Sequence, residues 1–155
     1  RKTYLTPYID KHINNLNLNK FTYFEPFMGS GAIFFHMANQ NKIKKAYLND
    51  ILKELVIVYK TIQESNIKVI TAAISREIKY YSFDKSGRKR SYQSKTKVFT
   101  SWKDEFNSLI FPASIDNLGR NKKIRLSVLF LLLNYSCFNG VYRKNPKGLF
   151  KACCL

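Results

Sequence analysis

The stretch "FTYFEPFMGSGAIFFHMAN", residues 21–39, constrains this chain most, because two glycines separate two apolar segments. The aromatic-rich residues 21–27 have Asn and Lys before them and Gly soon after, which predicts a buried β-strand. Ser30 stands where a helix N-cap residue belongs, and residues 32–39 can continue as a helix. A strand, a glycine turn and a helix in this order indicate a parallel α/β unit.

The neighbouring segments extend this alternation over residues 1–64. A first helix is predicted by apolar residues spaced along one face, at Leu5, Ile9 and Ile13. The segment "KAYLND" predicts a second short strand that ends at Asp50. The segment that follows predicts a helix whose apolar face consists of Ile51, Leu55, Val58, Tyr59 and Ile62.

The glycine turn predicts a binding site for a nucleoside cofactor. A helix N-terminus behind such a turn presents free backbone N–H groups, and glycine lets a ligand approach the backbone closely. An acid roughly 20 residues beyond the turn, as Asp50 is, can accept ribose hydroxyls. Gly29, Ser30, Gly31 and Asp50 therefore fit this site, and the alternative is a plain turn with a solvated acid. The phosphate-binding pattern GxxxxGK[ST] is absent, which disfavours ATP.

The net charge of +17, from 27 basic and 10 acidic residues, favours a polyanionic partner. Nucleic acid is the first candidate, and a merely solvated basic surface is the alternative. No membrane partner is expected, because the apolar run at 126–133 is far shorter than the roughly 18 residues a span needs. The three cysteines lack the spacing of metal ligands or a disulfide framework, which indicates a reducing compartment, the cytoplasm, and no metal.

Two further zones follow along the chain. Residues 65–116 predict helices around a basic loop, and the apolar residues of the second helix, Phe99, Trp102, Phe106 and Leu109, have core spacing. From residue 117 onward no Asp or Glu occurs. Residues 124–136 are apolar nearly all round, which predicts a buried helix. Asn139-Gly140 then predicts a hairpin turn.

Two motifs resemble Dam-type DNA adenine methyltransferases. "FEPFMGSGAIFF" with "YLND" is similar to the family's cofactor motifs, and "LFLLLNYSCFNGVYRKNPKGLF" is similar to its motif L-x-x-N-x-x-x-[FY]-N-G-x-x-R-x-N-x-x-G-x-F. The resemblance implies a Rossmann-like S-adenosylmethionine-dependent methyltransferase core with an inserted, mostly helical DNA-recognition domain. It implies a site for S-adenosyl-L-methionine lined by Glu25, Pro26, Phe27, Gly29, Ser30 and Gly31, with Asp50 on the ribose. Lys2 takes the place of a cofactor-contacting lysine.

The second motif implies that this chain reads double-stranded DNA through a hairpin near residues 137–150. Phe138 would wedge into the duplex beside Asn139, Arg143 would read a guanine, and Asn145 belongs to the same motif. The chemistry agrees, since an Arg pairs bidentately with guanine and an inserted ring helps a base flip out. A hairpin packed on its own domain and a phosphate contact by Arg143 are the alternatives. The basic loop with Arg88 and Arg90 is a second candidate for the DNA contact.

The chain departs from the family at its catalytic motif. Asp-Pro-Pro-Tyr, which in the family hydrogen-bonds the adenine amino group, is absent, because no two prolines are adjacent. We therefore expect a truncated, catalytically incomplete chain of bacterial or phage origin, and the missing initiator Met agrees with a fragment. Residues 1–64 are expected to form the core, 65–150 the recognition domain and 151–155 a divergent tail.

Three functions remain open at this point. The first is part of a site-specific DNA adenine methyltransferase. It would be completed by a carboxy-terminal half in trans and would have a cognate restriction endonuclease as a further partner. The second is a non-enzymatic nucleic-acid-binding remnant, and the third is an RNA-directed methyltransferase on the same core.

Overall fold

The computed structural model describes residues 2–111, 115–137 and 140–152, with side chains from Tyr4 onward. The fold is mixed α/β and divides into two compact units, Arg1–Leu52 and Lys53–Leu155. Within the described ranges, no helix is long and apolar enough to cross a membrane.

The first unit contains the predicted alternation of helices and strands. A 3-10 helix, Lys2–Leu5, leads into α1 (Thr6–Asn15), followed by β1 (Phe21–Glu25), α2 (Ala32–Asn39) and β2 (Ile43–Leu48). The two strands pair in parallel, from Phe21 opposite Ile43 to Glu25 opposite Leu48. This confirms the strand–turn–helix–strand order. β1 ends at Glu25 and β2 ends two residues before Asp50, so the predicted cofactor residues 25–31 and Asp50 lie at the carboxyl edge of the strand pair.

The predicted N-cap of α2 is wrong. The N-cap residue is Gly31, which adopts a left-handed conformation with φ of 66°, and no side chain caps the helix. Ser30 lies one position earlier and is exposed. A serine caps a helix from an extended backbone. Here the turn instead enters the helix through a residue in the left-handed conformation, which glycine adopts without strain and serine does not.

The second unit is helical and is organised around its last helix. Its elements are α3 (Lys53–Glu64), α4 (Ile67–Ser82), α5 (Tyr92–Ile110), a 3-10 turn (Ile115–Asn117) and α6 (Arg120–Ser136). Helix α6 packs against α3, α4 and α5. Its apolar stretch is buried almost all round, which confirms the predicted buried helix, although α6 begins four residues earlier than the apolar pattern.

The aromatic residues of α5 confirm the core prediction. Phe99, Trp102 and Phe106 are each 3% exposed or less, whereas Leu109 is half-buried. The Trp102 indole N–H donates to Glu77 of α4 at 2.9 Å. Buried indole groups need such a partner, and this one joins α5 to α4.

The predicted apolar face of α3 is only partly correct. Ile51 precedes the helix and is 92% exposed, and of the predicted face only Val58 is fully buried. The buried face consists of Glu54, Ile57, Val58 and Thr61. A prediction based on apolar spacing places every glutamate on the exposed face of the helix. Glu54 forms an ion pair with Lys144 and can therefore be buried.

Candidate cofactor and nucleic-acid site

The turn between β1 and α2 contains two glycines with left-handed backbone, Gly29 with φ of 52° and Gly31 with φ of 66°. A Cβ atom at Gly31 would lie 2.8 Å from Cε2 of Phe35 and 2.9 Å from Cε of Met28. At Gly29 no atom lies within 4 Å of the same position. Gly31 is therefore required by conformation and by packing, whereas Gly29 is required by conformation and leaves its surroundings open to a ligand.

Asp50 holds this turn against the end of β2. Its Oδ2 atom accepts the Gly29 N–H at 2.8 Å, and its Oδ1 atom accepts the Leu52 N–H at 2.9 Å. Two backbone hydrogen bonds between the same loops, from Asn49 to Glu25 and from Met28 to Asn49, are each 2.9 Å. The sequence pattern correctly predicts that Asp50 lies beside the glycine turn. It does not reveal that the carboxylate is part of the turn's own hydrogen bonding.

Glu25 is the buried acid of this site. It is 8% exposed, lies at the last position of β1 and accepts a hydrogen bond from the Tyr23 hydroxyl at 2.9 Å. Burial and this hydrogen bond to the carboxylate raise the pKa of Tyr23 well above its usual range, so the hydroxyl remains a donor. Tyr23 carries no sequence signal for this role beyond its place two residues before the acid.

The other predicted cofactor residues lie on the turn itself. Pro26, Phe27 and Ser30 are exposed, and Phe27 is 73% exposed. Lys2 begins the 3-10 helix, and its side chain lies outside what the structure describes. The described turn therefore offers the Asp50 carboxylate, backbone N–H groups at the start of α2 and, at Gly29, a space that no described atom fills where a Cβ would lie.

The predicted DNA-reading segment forms a short hairpin in the second unit. Lys144 and Phe150 form an antiparallel bridge, and the Lys151 N–H donates to the Arg143 carbonyl at 2.8 Å. The Asn145 side chain closes the turn by accepting the Leu149 N–H at 3.0 Å. Arg143 is exposed, and among the described residues no hydrogen bond or ion pair reaches its guanidinium.

Phe138 and Asn139 lie outside the described residues, and so does half of the predicted Asn139-Gly140 turn. The antiparallel pairing that the structure describes closes instead around Asn145 and Gly148, whose N–H donates to the Asn145 carbonyl at 2.9 Å.

The basic loop uses its two arginines differently. Arg88 is 80% exposed and pairs with Asp84 at 3.3 Å. Arg90 donates through Nε to the carbonyls of Tyr80 and Phe83 at 2.7 and 3.1 Å, and it stacks on the Tyr80 ring at 4.6 Å. Arg90 thus completes the carboxyl end of α4 through Nε, and no described residue forms a hydrogen bond with its two terminal nitrogens.

Two open clefts adjoin this loop, and Tyr80 lines both. One, of about 380 Å³, is lined by cationic residues that include Arg90 and Lys97. The other, of about 510 Å³, is lined by Arg76, Lys79 and Lys85. Concave surfaces with several cations suit the phosphates of a nucleic acid. In the described parts of the chain, no group of three or more His, Cys, Asp or Glu residues is placed to hold a metal ion.

A parallel strand pair with a glycine turn and an acid at its carboxyl edge is the arrangement of nucleoside-binding α/β proteins. The chain belongs to the D12 class N6 adenine-specific DNA methyltransferase family, whose model matches residues 1–153. The Dam-type resemblance read from the two motifs is thereby confirmed.

Individual relatives agree with this family. The chain is 30% identical to the type II methyltransferase M.MjaIII of Methanocaldococcus jannaschii, over 92% of this chain and 43% of that protein. It is 30% identical to the DNA N-6-adenine-methyltransferase of Escherichia phage P1, over 81% of this chain and 13% of that protein. It is 31% identical to the type II methyltransferase M.CviBI of Paramecium bursaria Chlorella virus NC1A, over 83% of this chain and 38% of that protein. The chain thus spans less than half the length of these relatives.

Proposed function

We propose that this chain is the cofactor-binding and DNA-reading part of a site-specific DNA adenine methyltransferase that uses S-adenosyl-L-methionine. The observation that carries this proposal is the hydrogen bond from the Gly29 N–H to Asp50, which joins a left-handed glycine turn to an acid at the edge of a parallel strand pair. Family membership supplies the reaction class, and the geometry of the turn supports the proposed cofactor site.

The residues present fit this cofactor. Asp50 uses one lone pair on each oxygen for backbone N–H groups, and a carboxylate has about four such positions, so it can also accept ribose hydroxyls. The N-terminus of α2 suits the cofactor's carboxylate. When bound, S-adenosylmethionine supplies a methyl group on a positively charged sulfur. Glu25, the exposed turn residues Pro26, Phe27 and Ser30, and the buried Gly31 would line the remainder.

The proposed core is Rossmann-like and comprises residues 1–64, and residues 65–150 are the proposed recognition domain. In this structure α3 packs on α6 and therefore belongs to the helical unit. We nevertheless assign α3 to the core, because it directly follows the cofactor motifs along the chain. On this assignment, the packing of α3 on α6 is a contact between the proposed core segment and the proposed recognition segment.

For DNA, we propose that Arg143 reads a guanine in the major groove and that Phe138 acts as a wedge beside Asn139. The guanidinium of Arg143 lies at the side of a closed hairpin and forms no hydrogen bond or ion pair with any described residue. This supports the assignment, because a bidentate base contact needs a donor that no other group occupies. Arg88, Arg90 and the adjoining clefts would contact phosphates, which fix position without reading sequence. Duplex DNA is thus the proposed partner, with a cognate restriction endonuclease as a further one.

Adenine methylation needs acceptors for the amino-group protons, because the nitrogen lone pair is delocalised into the ring. The Asp-Pro-Pro-Tyr motif that supplies them in the family is absent from this sequence. We therefore propose that the chain by itself binds cofactor and DNA but transfers no methyl group.

The test measures the two properties separately. Calorimetry should detect S-adenosylmethionine binding, and labelled-methyl transfer to duplex DNA should stay at the level of a heat-killed control. Duplex binding without cofactor binding would favour the nucleic-acid-binding remnant. Preference for RNA over duplex DNA would favour the RNA-directed alternative. Methyl transfer above the control would refute the proposed incompleteness.

A further inference from the structure

The segment that carries Arg143 is attached to the helical unit through its two neighbours, Tyr142 and Lys144. Tyr142 belongs to an aromatic cluster, with ring centroids 5.1 Å from Phe130 and 5.2 Å from Phe150. The Lys144 ammonium forms an ion pair with Glu54 of α3. The residues on both sides of the arginine proposed to read DNA therefore contact the helical unit.

Lys144 pairs with a buried carboxylate, and its ammonium also lies 5.9 Å from the centroid of the Tyr142 ring. Glu54 is 3% exposed and lies in the first turn of α3. Burial and the nearby charge of Glu54 raise the pKa of Tyr142 well above its usual range, so that Tyr142 remains neutral beside the carboxylate. Burying a carboxylate is costly unless a cation is held close to it, and among the described residues Lys144 is the cation paired with Glu54.

Asn107 of α5 fixes the opposite arm of the hairpin. Its Oδ1 atom accepts the Phe150 N–H at 2.8 Å, and its Nδ2 donates to the Phe150 carbonyl at 3.3 Å. Since Phe150 is the bridge partner of Lys144, both arms have defined positions on the helices.

Successive residues of an extended segment point to opposite sides. Holding Tyr142 and Lys144 toward the helices therefore leaves Arg143 directed away from them, and Arg143 is exposed.

We infer that Glu54 is a positioning residue for DNA recognition: by pairing with Lys144 beside Tyr142, it directs Arg143 outward and withholds Lys144 from the DNA. This inference rests on the proposed function of Arg143. A buried ion pair can contribute little net stability, and in some proteins such a pair instead defines a geometry. The neutral variant Glu54→Gln should then alter sequence discrimination more than overall DNA affinity.

The experiment begins with duplexes that the wild-type chain enriches from a randomised pool. Dissociation constants are measured for an enriched duplex and for a scrambled one, and their ratio is the discrimination. Asp116→Asn is the matched control, because Asp116 pairs with Lys53 of the same helix at 3.3 Å. Both changes remove one negative charge beside a lysine, but the ion pair of Asp116 is with Lys53 of α3, whereas that of Glu54 is with Lys144 of the hairpin.

Glu54→Gln should lower the discrimination at least about fivefold, the low end of one bidentate base contact. Binding to the scrambled duplex should stay the same or become tighter, because Lys144 is released. Asp116→Asn should keep the wild-type discrimination. Arg143→Ala should lower it similarly, and the double variant Glu54→Gln, Arg143→Ala should lose no more than Arg143→Ala, since both changes remove the same contact.

The inference is overturned if Glu54→Gln keeps the wild-type discrimination, or if the losses of the two single variants multiply in the double variant. If thermal unfolding shows that Glu54→Gln does not fold, the double variant Glu54→Met, Lys144→Met is measured instead, because an apolar pair of this size can replace a buried ion pair. It should show the same loss, and wild-type discrimination would again overturn the inference. A wild-type chain that enriches no duplex would refute the proposed function, and the inference with it.

Discussion

Arg125 of α6 binds the carboxylate of Glu105 of α5 through two parallel hydrogen bonds, from Nε to Oε1 at 2.7 Å and from Nη2 to Oε2 at 2.6 Å. Its third nitrogen, Nη1, donates to Glu77 of α4 at 2.6 Å. One guanidinium thus joins three helices. The paired acids raise the pKa of Arg125 further, against the effect of burial, so the charge is permanent.

Removing this guanidinium should destabilise the helical unit. Arg125→Ala leaves two carboxylates close together with no cation between them. Because the side chain is one-third exposed, we expect a loss of about 2 kcal/mol, below the range for fully buried pairs. Urea denaturation measures it. Arg88→Ala is the control, because Arg88 pairs at the surface and its removal should cost less than about 1 kcal/mol. Equal losses in the free energy of unfolding would show that the contact of Arg125 with two acids contributes no more than a surface ion pair.

The carboxylate of Asp50 should be required for cofactor binding. Asp50→Ala removes the acceptor proposed for the ribose and also frees the Gly29 N–H, so S-adenosylmethionine binding should disappear in calorimetry. Asp84→Ala is a matched control, because Asp84 also accepts loop N–H groups, from Ser86 and Arg88, but lies in the basic loop. Unchanged affinity in Asp50→Ala would remove this residue from the site.

The two turn glycines should respond differently to alanine. Gly31→Ala combines a left-handed backbone with contacts under 3 Å to Phe35 and Met28, so it should destabilise the protein by about 1–3 kcal/mol. Gly29→Ala has open space around the added methyl, so it should destabilise less and act mainly on cofactor affinity. Thermal unfolding and calorimetry together measure both effects. The reverse order of stability would contradict the packing described at Gly31.

The contact between α1 and α2 should make stability depend on acid. The hydrogen bond from His36 to Asp10, at 2.8 Å, lowers the pKa of Asp10 below its ordinary value of 3.8. A lowered folded-state pKa contributes stability that is complete above 3.8 and is lost as the pH falls through the lower value. Asp10→Asn should therefore be less stable than wild type at pH 6, and the difference should shrink toward pH 3. A difference that stays constant would mean that the Asp10 charge is unimportant.

Arg143→Ala should separate base reading from phosphate contact. If Arg143 pairs with a guanine, the variant should lose about 1–3 kcal/mol on an enriched duplex and much less on a scrambled one. If Arg143 touches only phosphate, both duplexes should lose equally and the salt slope should fall by about one. Fluorescence titration at several salt concentrations distinguishes these results, with Arg88→Ala as the phosphate-type control.

The helices and strands were predictable from the sequence where neighbouring residues in the chain determine them. The glycine turn, the strand before it and the acid after the next strand are specified within a few residues, and the structure brings Gly29 and Asp50 together as expected. The helix start was not predictable, because Ser30 and Gly31 are adjacent and only the three-dimensional turn selects the left-handed glycine. Glu54 was missed because its partner, Lys144, lies far along the chain, and apolar spacing assigns a glutamate to the surface.

The position of α6 after α3, α4 and α5 in the chain has a consequence for folding during synthesis. Helices α3, α4 and α5 all pack on α6, yet all three leave the ribosome before it. At roughly 5–20 residues per second, several seconds pass between the synthesis of α3 and that of α6. During this interval the apolar faces of the earlier helices lack their main partner. The helical unit therefore consolidates only when its last helix emerges, and a pause in translation before Arg120 would prolong the period in which chaperones and proteases can act on it.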